Sequence, residues 1–183
     1  LQLMNSIMNL QSRRITSSDE RARFESARRR LISLATVSAH LDDTTQPDTV
    51  DLVPFLRRLC QAFSVAYMAD GRISLTFAAT GARLIAATLA VPLGMAMGEI
   101  LVNISLNGFA PQTTGIVAVE VAVEGDQVRI AIRHTGRKID ETFHSDGANL
   151  GRLLVDAFVN QLGGVFRAET SEICVVFTRP FRA

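Results

Sequence analysis

Around Asp70-Gly71 the apolar residues stop recurring every three or four positions and begin to alternate. A chain that changes period in this way is built from two kinds of unit, helices first and a sheet afterwards. Upstream of the change, Leu3, Ile7 and Leu10 recur at helical spacing with Met4 and Met8 beside them. Thr16-Ser17-Ser18 breaks this helix, and Ser17 with Glu20 forms a capping box that starts a second one. Phe24, Ala27, Leu31, Leu34 and Leu41, with Ser38 filling the gap, make a near-heptad stripe on it. Two such helices form an antiparallel hairpin over residues 1–46, and neither buries its apolar face alone. A four-helix bundle in a homodimer is the expected outcome.

Residues 42–51 are polar, contain Pro47 and read as a linker. Asp51 is placed to cap a third helix from Leu52 to about Met68. Beyond Asp70-Gly71, Ile73, Leu75 and Phe77 alternate as a strand, and Thr80-Gly81 turns the chain into Leu84-Ile85. A helix from about Ala90 to Asn107 follows, then a hairpin of 116–123 and 128–132 around Glu124-Gly125-Asp126. Residues 133–149 read as a polar loop, 150–162 as a helix, and 165–168 with 173–177 as a last hairpin. The fold class is therefore α+β: a helical hairpin, then over residues 47–183 an α/β sandwich, a mixed sheet with helices on one face.

Bulk properties narrow the function. With 183 residues and 48% hydrophobic content, the chain can fill one sizeable core or a smaller core plus a hairpin. A net charge of +1 excludes the strongly basic balance of most nucleic-acid binders. Arg13, Arg14, Arg21, Arg23, Arg28, Arg29 and Arg30 concentrate in the first helical region, a solvated face or a docking surface for an acidic partner. Cys60 and Cys174 stand far apart, outside any CxxC or Cys/His cluster, so they read as inert core thiols rather than zinc ligands. Without a cysteine framework the expected compartment is the cytoplasm. The apolar stretch 84–97 is interrupted by Pro92 and Gly94 and reads as too short to span a membrane, so no membrane contact is expected. The start at Leu1 has no signal-peptide layout and reads as cut from something longer.

Several stretches, in order, resemble one family. Leu1-Gln2, Ser6 and Leu10-Gln11-Ser12-Arg13 are similar to the first helix of sensor histidine kinases of the HWE and related subfamily. Arg30-Leu31, Leu34-Ala35 and His40-Leu41 resemble the second helix of that dimerisation domain. Val50-Asp51-Leu52 with Phe55-Leu56 resembles the link into the GHKL-type ATPase domain. Ala90 to Gly94, then Glu99-Ile100-Leu101-Val102-Asn103, resemble the helix carrying its N box. The resemblance implies a dimer that works on a response-regulator receiver docked on the lower part of the hairpin, where the arginines lie. It places the phosphorylated histidine upstream of Leu1, so His40 is not that residue.

For ATP and Mg²⁺ the resemblance implies three elements. Glu99 and Asn103, four apart on one helix face, stand as the catalytic carboxylate and the Mg²⁺-binding amide. The basic residues expected just after Asn103 are replaced by Leu106 and Asn107. An Asp-x-Gly-x-Gly turn, whose Asp accepts from the adenine amino group, corresponds to His134-Thr135-Gly136-Arg137-Lys138. Losing that carboxylate costs about 1.5–3 kcal/mol, roughly tenfold to a hundredfold in affinity. A Gly-x-Gly turn that cradles phosphates corresponds to Asn149-Leu150-Gly151, with the first glycine gone. Asn103, His134, Gly136 and Gly151 are thus the candidate cofactor-binding residues of an eroded site. Arg133, Arg137 and Lys138 nearby attract an anion or are simply solvated.

The expectation is a two-component signalling protein that retains the scaffold while its ATP chemistry is altered or lost, with no cofactor expected. An active ATP-dependent kinase is the first alternative and an anti-sigma-type binding module on the same ATPase fold the second; the hairpin argues against the latter.

Overall fold

The computed structural model describes residues 17, 24, 27, 31, 33–39, 48–137, 149–169 and 172–178. The first helix with Leu3, Ile7 and Leu10, the capping partner Glu20, Arg28, Arg29, His40 and Leu41 lie outside the described residues, as do linker residues 42–47 and loop residues 138–148.

Strand β2 (Ile73–Thr80) is an edge of a five-stranded mixed sheet ordered β2-β4-β5-β7-β6, with β4 at Gly115–Glu124, β5 at Gln127–His134, β6 at Gly164–Glu169 and β7 at Glu172–Thr178. β2 runs parallel to β4, and every other pairing is antiparallel. The parallel pair needs a crossover, and helix α2 (Ala87–Asn107) supplies it. α1 (Leu52–Tyr67) and α3 (Asn149–Gln161) flank α2. The sandwich and its strands agree with the alternation read from the sequence. Gly125 takes positive φ in the two-residue turn between β4 and β5, a conformation that glycine adopts without a Cβ penalty.

Three details differ from expectation. The linker is not wholly irregular: β1 (Thr49–Asp51) pairs antiparallel with β3 (Leu84–Ala86), Val50 opposite Ile85, and both side chains are buried. Asp51 precedes α1 but its side chain makes no cap hydrogen bond; the Leu52 N–H donates instead to the Arg83 carbonyl at 2.9 Å. The apolar stretch at 84–97 is not interrupted, since α2 runs unbroken through Pro92 for 21 residues. Pro92 forfeits one backbone hydrogen bond to the carbonyl of Thr88, which is exposed. By length and apolar content α2 would suit a membrane, but Leu93, Met97, Ile100, Leu101 and Ile104 sit in the core against the sheet and the other helices.

The core is formed by one side of α1 (Leu52, Phe55, Leu56, Leu59, Cys60, Phe63), most of α2, and the inward residues Val117, Val119, Val121, Val128, Ile130 and Ile132 of the sheet. Cys60 is buried there and its thiol is pushed up to about 12 by desolvation, which makes it inert as expected. The side chain of Cys174 is outside the description.

The helical segment 33–39 packs on this domain through Ser33 and Val37. Gly94 and Gly98, one turn apart on α2, make room for it. A Cβ on Gly94 would lie 2.7 Å from a Val37 methyl, and one on Gly98 would lie 3.3 Å from Ser33 Cβ. The stripe positions Ala27, Leu31, Leu34 and Ser38 are exposed. The contact with the chain's own sandwich therefore uses a different face from the heptad stripe.

Candidate nucleotide site

α2 is held against the sheet by its apolar side chains, and this sets its polar residues at the margin of the core. Glu99 and Asn103 are both half-buried, one turn apart. The Oδ1 atom of Asn103 is buried and has no hydrogen-bond partner among the described residues, so an acceptor is held ready at the place expected for the Mg²⁺ amide. Gly151 lies in the first turn of α3, where a Cβ would sit 3.7 Å from Glu99 Oε2. The helix packing thus brings the catalytic candidate Glu99 and the surviving lid glycine together. The positive end of the α3 dipole favours a carboxylate at that place. Leu106 and Asn107, standing where cations are expected, are exposed and supply no positive charge.

His134 is the last residue of β5, in register with Val117 of β4. It falls on the inward side with Val128, Ile130 and Ile132 and is only 5% exposed. Its Nδ1 accepts a hydrogen bond from the Gly136 N–H at 3.2 Å. Its Nε2 is buried and unpartnered among the described residues. Burial pushes the imidazole below its ordinary value of 6.5, so the ring is neutral at neutral pH. With Nδ1 accepting, the one proton of the neutral ring resides on Nε2. The acceptor nitrogen of His134 is thus used within its own turn.

That turn is fixed from three sides. The Arg137 N–H donates to the Gly108 carbonyl at 2.6 Å, the Thr135 N–H donates to the Ile116 carbonyl at 3.1 Å, and the Ile116 N–H donates to Thr135 Oγ1 at 3.0 Å. A Cβ on Gly136 would overlap the Gly108 carbonyl, so the surviving glycine is needed for close backbone approach. Phe109, edge-on to His134 with ring centroids 6.1 Å apart, closes the other side. Gly108 and Phe109 were not singled out from the sequence, although Asn107-Gly108 is a recognisable helix-end signal. Arg133, proposed from sequence as an anion-attracting cation, is engaged: it bonds Glu172 at 2.9 Å and Glu120 at 2.6 Å. Both carboxylates raise its pKa. Arg137 is exposed, and Lys138 and the side chain of Asn149 are outside the description.

Known proteins resemble this chain in sequence at its start and in fold along most of its length. Residues 1–67 match the family model HisKA_2, described as histidine kinase. Over that span the chain is similar to the histidine kinases. The resemblance read from the sequence is thereby borne out over residues 1–67. The remainder has the fold of histidine kinase catalytic domains. The blue-light activated histidine kinase of Erythrobacter litoralis EL346 is similar over 86% of this chain and 55% of its own, with TM-score 0.70 and 24% identity. The chain thus spans about half the length of that kinase. The isolated histidine kinase domain of the same protein is similar over 96% of this chain and 94% of its own, with TM-score 0.67 and 19% identity. The Acinetobacter baumannii histidine kinase AdeS is similar over 80% of this chain and 74% of its own, with TM-score 0.52 and 12% identity. No curated protein matches the sequence.

Proposed function

We propose that the chain is the core of a two-component signalling protein of the HWE-related type, whose ATPase-like domain binds ATP·Mg²⁺ weakly or not at all. It acts on a response-regulator receiver as a phosphotransfer protein, a phosphatase or a pseudokinase regulator, in the cytoplasm and as a homodimer. The observation that carries this reading is His134. A buried neutral imidazole occupies the position that the resemblance assigns to the adenine-reading carboxylate, and its accepting nitrogen is taken by Gly136. The loss of cations at Leu106 and Asn107 removes charge that the phosphates would need.

Calorimetry with a non-hydrolysable ATP analogue and Mg²⁺ is the test. Loss of the base-reading carboxylate at His134, of the glycine at Lys138 and of the lid glycine at Asn149 acts on different parts of the ligand, so the penalties add. A micromolar site then falls to about millimolar, on the order of 4 kcal/mol in all. A dissociation constant of about ten micromolar sinks the reading. The triple variant His134→Asp, Lys138→Gly and Asn149→Gly is expected to regain binding.

An active autokinase is the second reading, and the approach of Gly151 to Glu99 beside an Asn103 acceptor that is unpartnered among the described residues favours it. Autophosphorylation of the full chain with labelled ATP distinguishes the two.

A further inference from the structure

We propose that the base-reading end of this site has inverted polarity and takes a 6-oxopurine, such as hypoxanthine or guanine, in preference to adenine. The inference rests on reading His134 as the base-reading position, and it names which base that position prefers.

One hydrogen bond fixes the tautomer of His134. The Gly136 N–H points at His134 Nδ1 at 3.2 Å, so Nδ1 must present a lone pair. This bond cannot be exchanged cheaply. Gly136 is pressed on the Gly108 carbonyl, and its neighbours Thr135 and Arg137 are tied to Ile116 and Gly108. Turning the ring to the other tautomer would set two N–H groups against each other. The proton therefore stays on Nε2, on a side chain 95% withdrawn from solvent by its 5% exposure. That N–H has no partner among the described residues. A buried donor without an acceptor is a standing demand for one, because its desolvation is uncompensated until a ligand supplies a lone pair.

The 6-amino group of adenine meets this demand badly, since it brings a donor to a donor. The 6-oxo group of hypoxanthine or guanine brings a carbonyl oxygen to the same place and completes the bond. A site built around a buried polar group discriminates by the penalty of leaving that group unpaired as well as by the bond gained. A preference on the order of tenfold or more follows from one such bond made against one such clash.

Inosine triphosphate is the decisive probe, because it differs from ATP by an oxygen for the amino group at position six and by the N1 proton that accompanies it. Calorimetry on the full chain with Mg²⁺ is expected to give inosine triphosphate a dissociation constant at least tenfold below that of ATP. His134→Asp is expected to reverse the order. The ¹⁵N spectrum of the imidazole, recorded without nucleotide, reads the tautomer directly and is expected to show the proton on Nε2. A proton on Nδ1 overturns the inference whatever the variant does. Equal or tighter binding of ATP at about millimolar level, or no binding of either nucleotide, also overturns it while leaving the weak-ATP reading intact. ATP binding at about ten micromolar removes both.

Discussion

At the scale of single residues, His134 shows what a sequence conveys about a site and what it withholds. The absence of a carboxylate there was legible, but the loop read over 133–149 begins later than expected, because β5 runs on through Arg133 to His134 itself. The identity of its hydrogen-bond partner was not, because Gly136 reaches Nδ1 only when the turn is pinned to Gly108 and Ile116 from distant parts of the chain. The same burial has a pH consequence. The folded-state pKa of His134 lies below 6.5, so between that depressed value and 6.5 the unfolded chain binds more protons than the folded one. Its contribution to stability is fully present above pH 6.5 and is lost as pH falls through the folded pKa. Urea midpoints are expected to decline from neutral pH towards pH of about 5, and His134→Gln is expected to make the profile flatter. An identical slope in the variant would assign the decline to other groups. Gly136→Ala tests the turn itself. Its Cβ would overlap the Gly108 carbonyl, so a loss of about 1–3 kcal/mol in urea unfolding is expected, the range for forced overpacking.

At the scale of elements, regular periods were read well and long-range pairings were not. β2 and the β4–β5 hairpin carry their alternation in the sequence, and their ranges agree with it. β1 has three residues in a polar stretch and exists because Val50 finds Ile85 across the chain, which no local period reveals. The helix from about Ala90 to Asn107 was legible, but its first turn at Ala87 was not, and Pro92 and Gly94, helix-unfriendly by propensity, are overridden by tertiary packing in which Gly94 is used for contact. Replacing Gly94 by alanine gains about 1 kcal/mol of helix propensity. It also sets a methyl 2.7 Å from Val37, and this crowding opposes the gain. The expected result is that α2 keeps its stability while segment 33–39 loses protection in hydrogen exchange. Unchanged protection at Val37 would mean that the Gly94–Gly98 notch does not hold the segment. The exposed ladder Arg129, Arg133, Glu120 and Glu172 is a weaker element, since open ion pairs contribute little. Arg133→Met is expected to change unfolding free energy by less than about 1 kcal/mol.

At the scale of the whole molecule, the helix that includes residues 33–39 has one face packed and another left open. Ser33 and Val37 are buried against the sandwich, whereas Leu31 and Leu34 are left 43% and 41% exposed. Ala27, Leu31, Leu34 and Ser38 follow one another at steps of four, three and four, the spacing of a heptad seam, and all are exposed. A seam of this spacing packs against another helix, and an antiparallel hairpin meeting its own copy forms a closed, self-complementary bundle. We propose that this uncovered seam closes the homodimer. Leu31→Asp places a charge in the centre of that seam without touching Ser33 or Val37, so it separates assembly from folding. Burying an unpaired carboxylate costs several kcal/mol, enough to dissociate a bundle of this size. Sedimentation velocity at about ten micromolar is expected to show a dimer for the native chain and a folded monomer for Leu31→Asp, with the circular dichroism of the sandwich unchanged. A native chain that sediments as a monomer at that concentration would refute the assignment, and a Leu31→Asp dimer would move the interface to another face of the hairpin.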